Sequence, residues 1–139
     1  MTVNGAMLRM LGRWLLAASY ISVGVSHFTN PAFFLAIMPP YLPWHDALVA
    51  ISGAAEIAGG VGVLFPATRR LAGWGIIALL IAVYPANIHM LVNDVYPPGV
   101  EPNRLLLWLR MPAQFLFALW ALWACEIWPK PAAQAVVED

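Results

Sequence analysis

The sequence predicts an all-α, polytopic membrane protein. It should be a four-helix bundle with both ends on the cytoplasmic side and a short interfacial helix in its first outer loop. Three observations carry that prediction. The chain is 62% hydrophobic and only 10% charged over 139 residues, against about 25% charged in an average soluble domain, and a water-soluble chain this short cannot hide so much apolar surface. Four apolar stretches each approach the roughly 20 residues that cross a bilayer as a helix. The basic residues fall on alternate connections, as the positive-inside rule demands.

The first span is expected at residues 7–27. Arg9 and Arg13 precede its apolar run, but no small-x-small cleavage site follows, so it reads as a retained helix and not as a signal peptide. In the next connection Asn30 and Pro31 form an N-cap and a first-turn proline. Phe33, Phe34, Ile37 and Met38 are too few to span, and Pro39 and Pro40 end the helix. This short helix should lie in the outer interface over the mouth of the bundle, either as a gate or as a plain anchor. The second span is expected at 45–65. Pro66, Ala67, Thr68, Arg69 and Arg70 then link it to the third, at 71–91. Thr68 is a candidate N-cap, and so short a link makes the two helices antiparallel neighbours. The fourth span is expected at 105–128, and 129–139 as a cytoplasmic tail. The whole chain reads as one transmembrane domain.

Arg9 and Arg13, the Arg69–Arg70 pair and Lys130 all fall on one side of a four-span chain, which makes that side cytoplasmic. The opposite connections, 28–44 and 92–103, hold no lysine or arginine. Trp44, Trp74, Trp108, Trp128 and Tyr96 lie near span ends, where an aromatic belt belongs. The formal net charge is zero, so nothing argues for nucleic acid as a partner. A lone cysteine, Cys125, excludes an internal disulfide and a CxxC pair, and it reads as a small apolar residue.

The most informative residue is Glu56, about 10 residues from either end of the second span and so roughly 15 Å deep. An ionisable group at that depth faces a partner, a cavity or a ligand. Comparing depths adds companions. His27 ends the first span, Tyr84, Asn87 and His89 occupy the outer third of the third, and Arg110 and Gln114 enter with the fourth. Arg110 and Gln114 are spaced i, i+4 and share a face, as do Tyr20, Gly24 and His27. Gly53 and Gly60 flank Glu56 on its own face and leave room for a neighbouring helix or a ligand. Asn87 and His89 are about 200° apart around their helix, so Asn87 is expected inward and His89 toward the interface. That opposition weakens a haem bracketed by His27 and His89, and no close ligand spacing supports a metal. Pro85 and Pro112 each free a carbonyl inside a span, which suggests a polar, hydrated pocket near Asn87 and Arg110. A Glu56–Arg110 ion pair is expected at its centre. It serves either as an internal fastener or as one wall of a binding site. No Ser or Cys has a base at motif spacing, so nucleophilic catalysis has no support.

Several short runs stand in a telling order. They are Gly24, Val25, Ser26, His27, Phe28; then Asn30, Pro31; then Met38, Pro39, Pro40, Tyr41, Leu42, Pro43; then Gly53, Ala54, Ala55, Glu56, with Gly59 and Gly60. Pro66 with Arg69 follows, then Ala72, Gly73, Trp74, then Pro85, Ala86, Asn87, and last Trp108, Leu109, Arg110, Met111, Pro112, Ala113, Gln114. In these runs the chain resembles the DoxX-like family of small four-helix bacterial membrane proteins. The resemblance implies a bacterial inner-membrane location and shared polar positions at Glu56, Asn87, Arg110 and Gln114. It also implies a link to quinone, redox or oxidative-stress functions, the family name coming from a subunit associated with thiosulfate:quinone oxidation. Similar folds in eukaryotes bind or isomerise sterols. The single cysteine leaves thiol redox chemistry without its paired thiols.

The expectation that follows is a membrane protein holding a quinone-like lipophilic molecule. Arg110 and Gln114 would donate to a carbonyl oxygen, Asn87 would orient it, and Glu56 would set the charge on Arg110 or relay a proton. His27 and Tyr84 complete the candidate ligand-binding set. The competing expectation is a non-enzymatic accessory or structural subunit of a larger membrane complex, its polar network only locking helices. A weaker third is a bilayer isomerase acting on a polycyclic lipid.

Overall fold

The computed structural model describes residues 4–131, and the last eight residues of the expected tail lie outside that range. The described residues form five helices: α1 Gly5–Thr29, α2 Pro31–Leu35, α3 His45–Leu64, α4 Arg69–Asn93 and α5 Arg104–Ala124. There is no strand among them. Three, α3, α4 and α5, are long and apolar enough to cross a membrane. The expected first span, α1, has the length but not the apolarity. Arg9, Arg13, three serines and His27 dilute it. Trp44, Trp74, Trp108 and Trp128 are all exposed on the outside of the fold.

Local chemistry accounts for the helix ends, with some departures from expectation. Asn4 caps α1 by accepting from the amide of Met7 at 2.8 Å. Asn30 stands at the N-cap position of α2, with Pro31 in the first turn, but its side chain makes no capping bond. Thr68 precedes α4 yet does not cap it. Its hydroxyl donates back to the carbonyl of Gly62 at 2.7 Å, because the last carbonyls of α3 have no partners within their own helix. Arg69 completes that closure by donating to the carbonyls of Val63 and Leu64. Helix α5 stops at Ala124, short of the expected residue 128. There the chain turns, Glu126 adopts a left-handed conformation (φ 59°), and the amides of Ile127 and Trp128 return to the carbonyl of Leu122.

Each long helix packs on two others: α1 on α3 and α5, and α4 on α3 and α5. The α1–α3 seam is the most extensive, and glycine makes it so. A Cβ on Gly24 would lie 2.7 Å from the carbonyl oxygen of Gly53, and one on Gly60 would lie 2.9 Å from the carbonyl oxygen of Ala17. The space beside Glu56 along α3 is therefore filled by a helix, the first of the two alternatives its flanking glycines left open. Leu16, Val63, Ile76, Ala121, Ala124, Cys125 and Ile127 form an apolar core toward one end. Met90, Leu91 and Leu107 form a second toward the other. Cys125 is fully buried in the first, as a small apolar residue would be.

The first core is closed by charges that the sequence did not pair. Glu126 lies 2.8 Å from the Arg13 guanidinium and 3.8 Å from that of Arg69. Arg13 also donates to the carbonyl of Ala124. One carboxylate thus ties the start of α1 and the start of α4 to the chain beyond α5. We expect Glu126→Gln to lower stability by about 1 kcal/mol, the upper range for a partly exposed pair, read as a lower unfolding midpoint in detergent that high salt narrows.

Candidate functional site

Among the described residues, His27, Glu56 and Asn87 are the buried polar ones, 7%, 9% and 6% exposed. Helix α1 carries His27 one turn past Gly24, so the close glycine contact presses its imidazole against α3. Its Nδ1 lies 2.8 Å from the carbonyl oxygen of Val49. A carbonyl can only accept, which assigns a proton to Nδ1. Its Nε2 lies 3.1 Å from Oε2 of Glu56. That approach is close but off the hydrogen-bonding direction, and Oε2 has no hydrogen-bond partner. Phe34 of α2 stacks on the imidazole at 3.7 Å between ring centres.

On the facing side, Oδ1 of Asn87 accepts from both Nε and Nη2 of Arg110, at 3.1 and 3.0 Å. Among the described residues Nη1 of Arg110 has no hydrogen-bond or ion-pair partner. Gln114, one turn deeper, has a buried Oε1 that is likewise unpartnered. The expected Glu56–Arg110 ion pair is absent, because α3 and α5, which carry the two residues, do not pack on each other. The carboxylate is instead faced by α1 and the guanidinium by α4.

Between these groups lie two adjoining cavities. One, of about 340 Å³, is lined by Ser19, Tyr20 and Val23 of α1, by Ala113 and Phe117 of α5, and by Glu56, Asn87, Arg110 and Gln114. The other, of about 180 Å³, shares those last four residues and is roofed by Phe34, Ile37 and Met38. Glu56, Asn87, Arg110, Gln114 and His27 are thus brought together as their depths suggested. Tyr84 is not. It lines neither polar cavity but an apolar groove between α4 and α5 that it shares with Pro85 and Gln114, and its ring meets Phe115 edge-on. Pro85 and Pro112 do not shape the polar cluster either. Both helices run unbroken through them, and Pro112 is exposed. His89 faces away, and its Nδ1 accepts from the Asn93 side-chain amide nitrogen at 2.9 Å, as its angle from Asn87 required.

Sequence reasoning missed the Val49 carbonyl and the Phe34 stack. The first is backbone and carries no residue signature. The second follows only once α2 folds back over α1. Tyr20 and Ser19 had a signal, since Tyr20 shares the face of His27 at helical spacing.

One family model matches the chain, described as a domain of unknown function (DUF8561), over residues 16–125. No curated protein and no solved structure matches. The family found is not DoxX, which overturns the resemblance drawn from the short runs. Glycine-rich, proline-punctuated apolar helices with a few buried polar residues answer general membrane packing rules, so such runs recur without common descent. The DoxX associations with thiosulfate oxidation and oxidative stress go with it.

Proposed function

We propose that this chain, which belongs to the DUF8561 family, is a four-helix integral membrane protein that holds a lipophilic small molecule in the chamber around Glu56, Asn87, Arg110 and Gln114. We place it in a bacterial inner membrane with both ends cytoplasmic. The supporting asymmetry is that Arg9, Arg13, Arg69 and Arg70 gather at one end and Arg104 pairs with Asp94 at the other.

The observation that carries the reading is an apolar-walled chamber with unmet polar atoms on facing sides. Oε2 of Glu56 on α3, 3.1 Å from His27 Nε2, and Oε1 of Gln114 on α5 are buried without a hydrogen-bond partner. Arg110, exposed on α5, keeps one nitrogen without a partner among the described residues. A buried polar group left unpaired costs about 1–3 kcal/mol, and hydrocarbon surroundings offer no water to relieve it. An occupant that both donates and accepts hydrogen bonds relieves these groups. A ring carbonyl would accept from Arg110, and ring hydroxyls would donate to the orphaned oxygens of Glu56 and Gln114. A quinone-like head supplies both in its two redox forms. The chamber is within the roughly 300–1,000 Å³ of ordinary small-molecule sites.

The test is mass spectrometry of small molecules that copurify in mild detergent. We expect a lipophile bearing a ring carbonyl or hydroxyl. An empty chamber together with stably bound partner subunits would replace this reading with that of an accessory subunit. Glu56→Gln is nearly isosteric and should leave the unfolding midpoint close to that of the parent, while flattening the pH dependence of ligand affinity. An unchanged pH profile in that variant would remove Glu56 from the binding role.

A further inference from the structure

One side of the chamber is less tightly built than the others, and it points to the kind of molecule the chamber takes. Of the seams between long helices, α1–α5 is the least extensive. Among the described residues, the hydrogen bonds that join α1 to α5 and the turn after it come only from Gly12 and Arg13. Gly12 accepts from the indole N–H of Trp120, and Arg13 reaches Ala124 and Glu126. The Trp123 ring lies so close over Gly12 that a Cβ there would clash with it. Beyond that fastened end the two helices part, and the larger cavity occupies the gap between Ser19, Tyr20 and Val23 on one side and Ala113 and Phe117 on the other. Ser19, Val23 and Phe117 are exposed, so the gap opens sideways where lipid chains run, not toward either aqueous end. The outer end is roofed by Phe34, Ile37 and Met38.

The polarity is ordered along the same line. Glu56, Asn87 and Arg110 stand across from or beside the slot, and the slot itself is rimmed by Tyr20, Val23, Ala113 and Phe117 and by Ser19, whose hydroxyl is turned to the carbonyl of Leu15. Resting on the reading of this chamber as a binding site, we infer that the ligand is an amphiphile with one compact polar ring and a hydrocarbon tail, and that its tail leaves the chamber laterally between α1 and α5. The ring fills the chamber, the tail stays in the bilayer, and the molecule enters and departs through the slot without crossing water. A chamber of about 340 Å³ has room for a substituted ring.

The experiment uses the full chain in nanodiscs and two probes with one head, 2,3-dimethoxy-5-methyl-1,4-benzoquinone with and without a decyl chain at the free ring position. Affinities are corrected for partition into the bilayer. Ser19→Trp sets an indole in the slot, and Val25→Trp sets one at an exposed position of α1 that lines neither cavity. We expect Ser19→Trp to weaken the decyl probe roughly tenfold or more, about 1.4 kcal/mol, while its effect on the tail-free probe is small and the Val25→Trp variant binds both probes as the parent does. A photoreactive diazirine on the first carbons of the tail should label α1 and α5 in the parent protein, near Val23 and Phe117. That map decides the matter even if Ser19→Trp fails to fold. Equal weakening of both probes, or labelling centred on α2, overturns the lateral exit and leaves the binding site standing. Failure of the parent to bind either probe overturns the binding site and the exit together.

Discussion

Gly53→Ala should be among the most damaging single-methyl changes in this protein. The added carbon would lie 2.6 Å from Cβ of His27 and 2.9 Å from the carbonyl oxygen of Gly24. Neither neighbour is the free end of a flexible side chain, so α1 and α3 must separate. Overpacking of this kind costs about 1–3 kcal/mol, occasionally more. The seam also presses the His27 imidazole toward Glu56, so the same methyl should disturb the chamber and weaken ligand binding. Gly75→Ala is the matched control. It lies in α4 with nothing within 4 Å of its would-be Cβ, and it should stabilise by up to about 1 kcal/mol through helix propensity alone. Unfolding midpoints of the two variants in one detergent should move in opposite directions. A Gly53→Ala protein as stable as the parent would mean that the α1–α3 contact is looser than described.

Arg110→Met should abolish ligand-induced stabilisation. The guanidinium offers its remaining nitrogen to the chamber while two others hold Asn87. A hydrogen bond to a charged group contributes about 1.5–3 kcal/mol, so its loss should weaken binding by roughly 10- to 150-fold. Stability should respond less. The buried Asn87 oxygen loses both donors at a cost of about 1–3 kcal/mol, but a charge at membrane depth is removed, which offsets part of it. Arg110→Lys keeps the charge and cannot reproduce the fork that grips a single amide oxygen, so it should recover little. The discriminating measurement is the upward shift of the unfolding midpoint on adding ligand. If Arg110→Met lowers the midpoint of the empty protein by several degrees and leaves the ligand-induced shift intact, Arg110 is a fastener of α4 to α5 and not a binding residue.

The helices were legible because their signals are local. Apolar runs and the Asn30–Pro31 step need no knowledge of what packs where, although α2 ends at Leu35, short of the prolines after Met38 that were expected to stop it. The inward set was partly legible for the same reason. Depth along a helix is a matter of counting, and the opposition of Asn87 and His89 follows from 3.6 residues per turn. Tyr84 failed the same reasoning because depth does not specify direction. It shares a level with Asn87 but turns toward Phe115 and the outer groove between α4 and α5.

Family membership shows how far short runs can mislead. The runs quoted for DoxX include His27, Glu56, Asn87 and Arg110, and the matched family covers the same residues under a different description. Each run reflects a packing need that many membrane helices share. Helix-packing glycines and inward polar residues are therefore evidence about physics before they are evidence about ancestry.

By itself the sequence determined that this chain is helical and apolar enough for a membrane, which residues lie at mid-depth, and which end gathers its arginines. These depend on composition and on spacing along one chain. Only the tertiary structure decided who partners whom. Glu56 meets His27 and Arg110 meets Asn87, since partner choice depends on which helices are neighbours, and α3 and α5 are not. It alone opened a gap between α1 and α5, because a gap is made by contacts that two distant segments do not form, and no single residue encodes it.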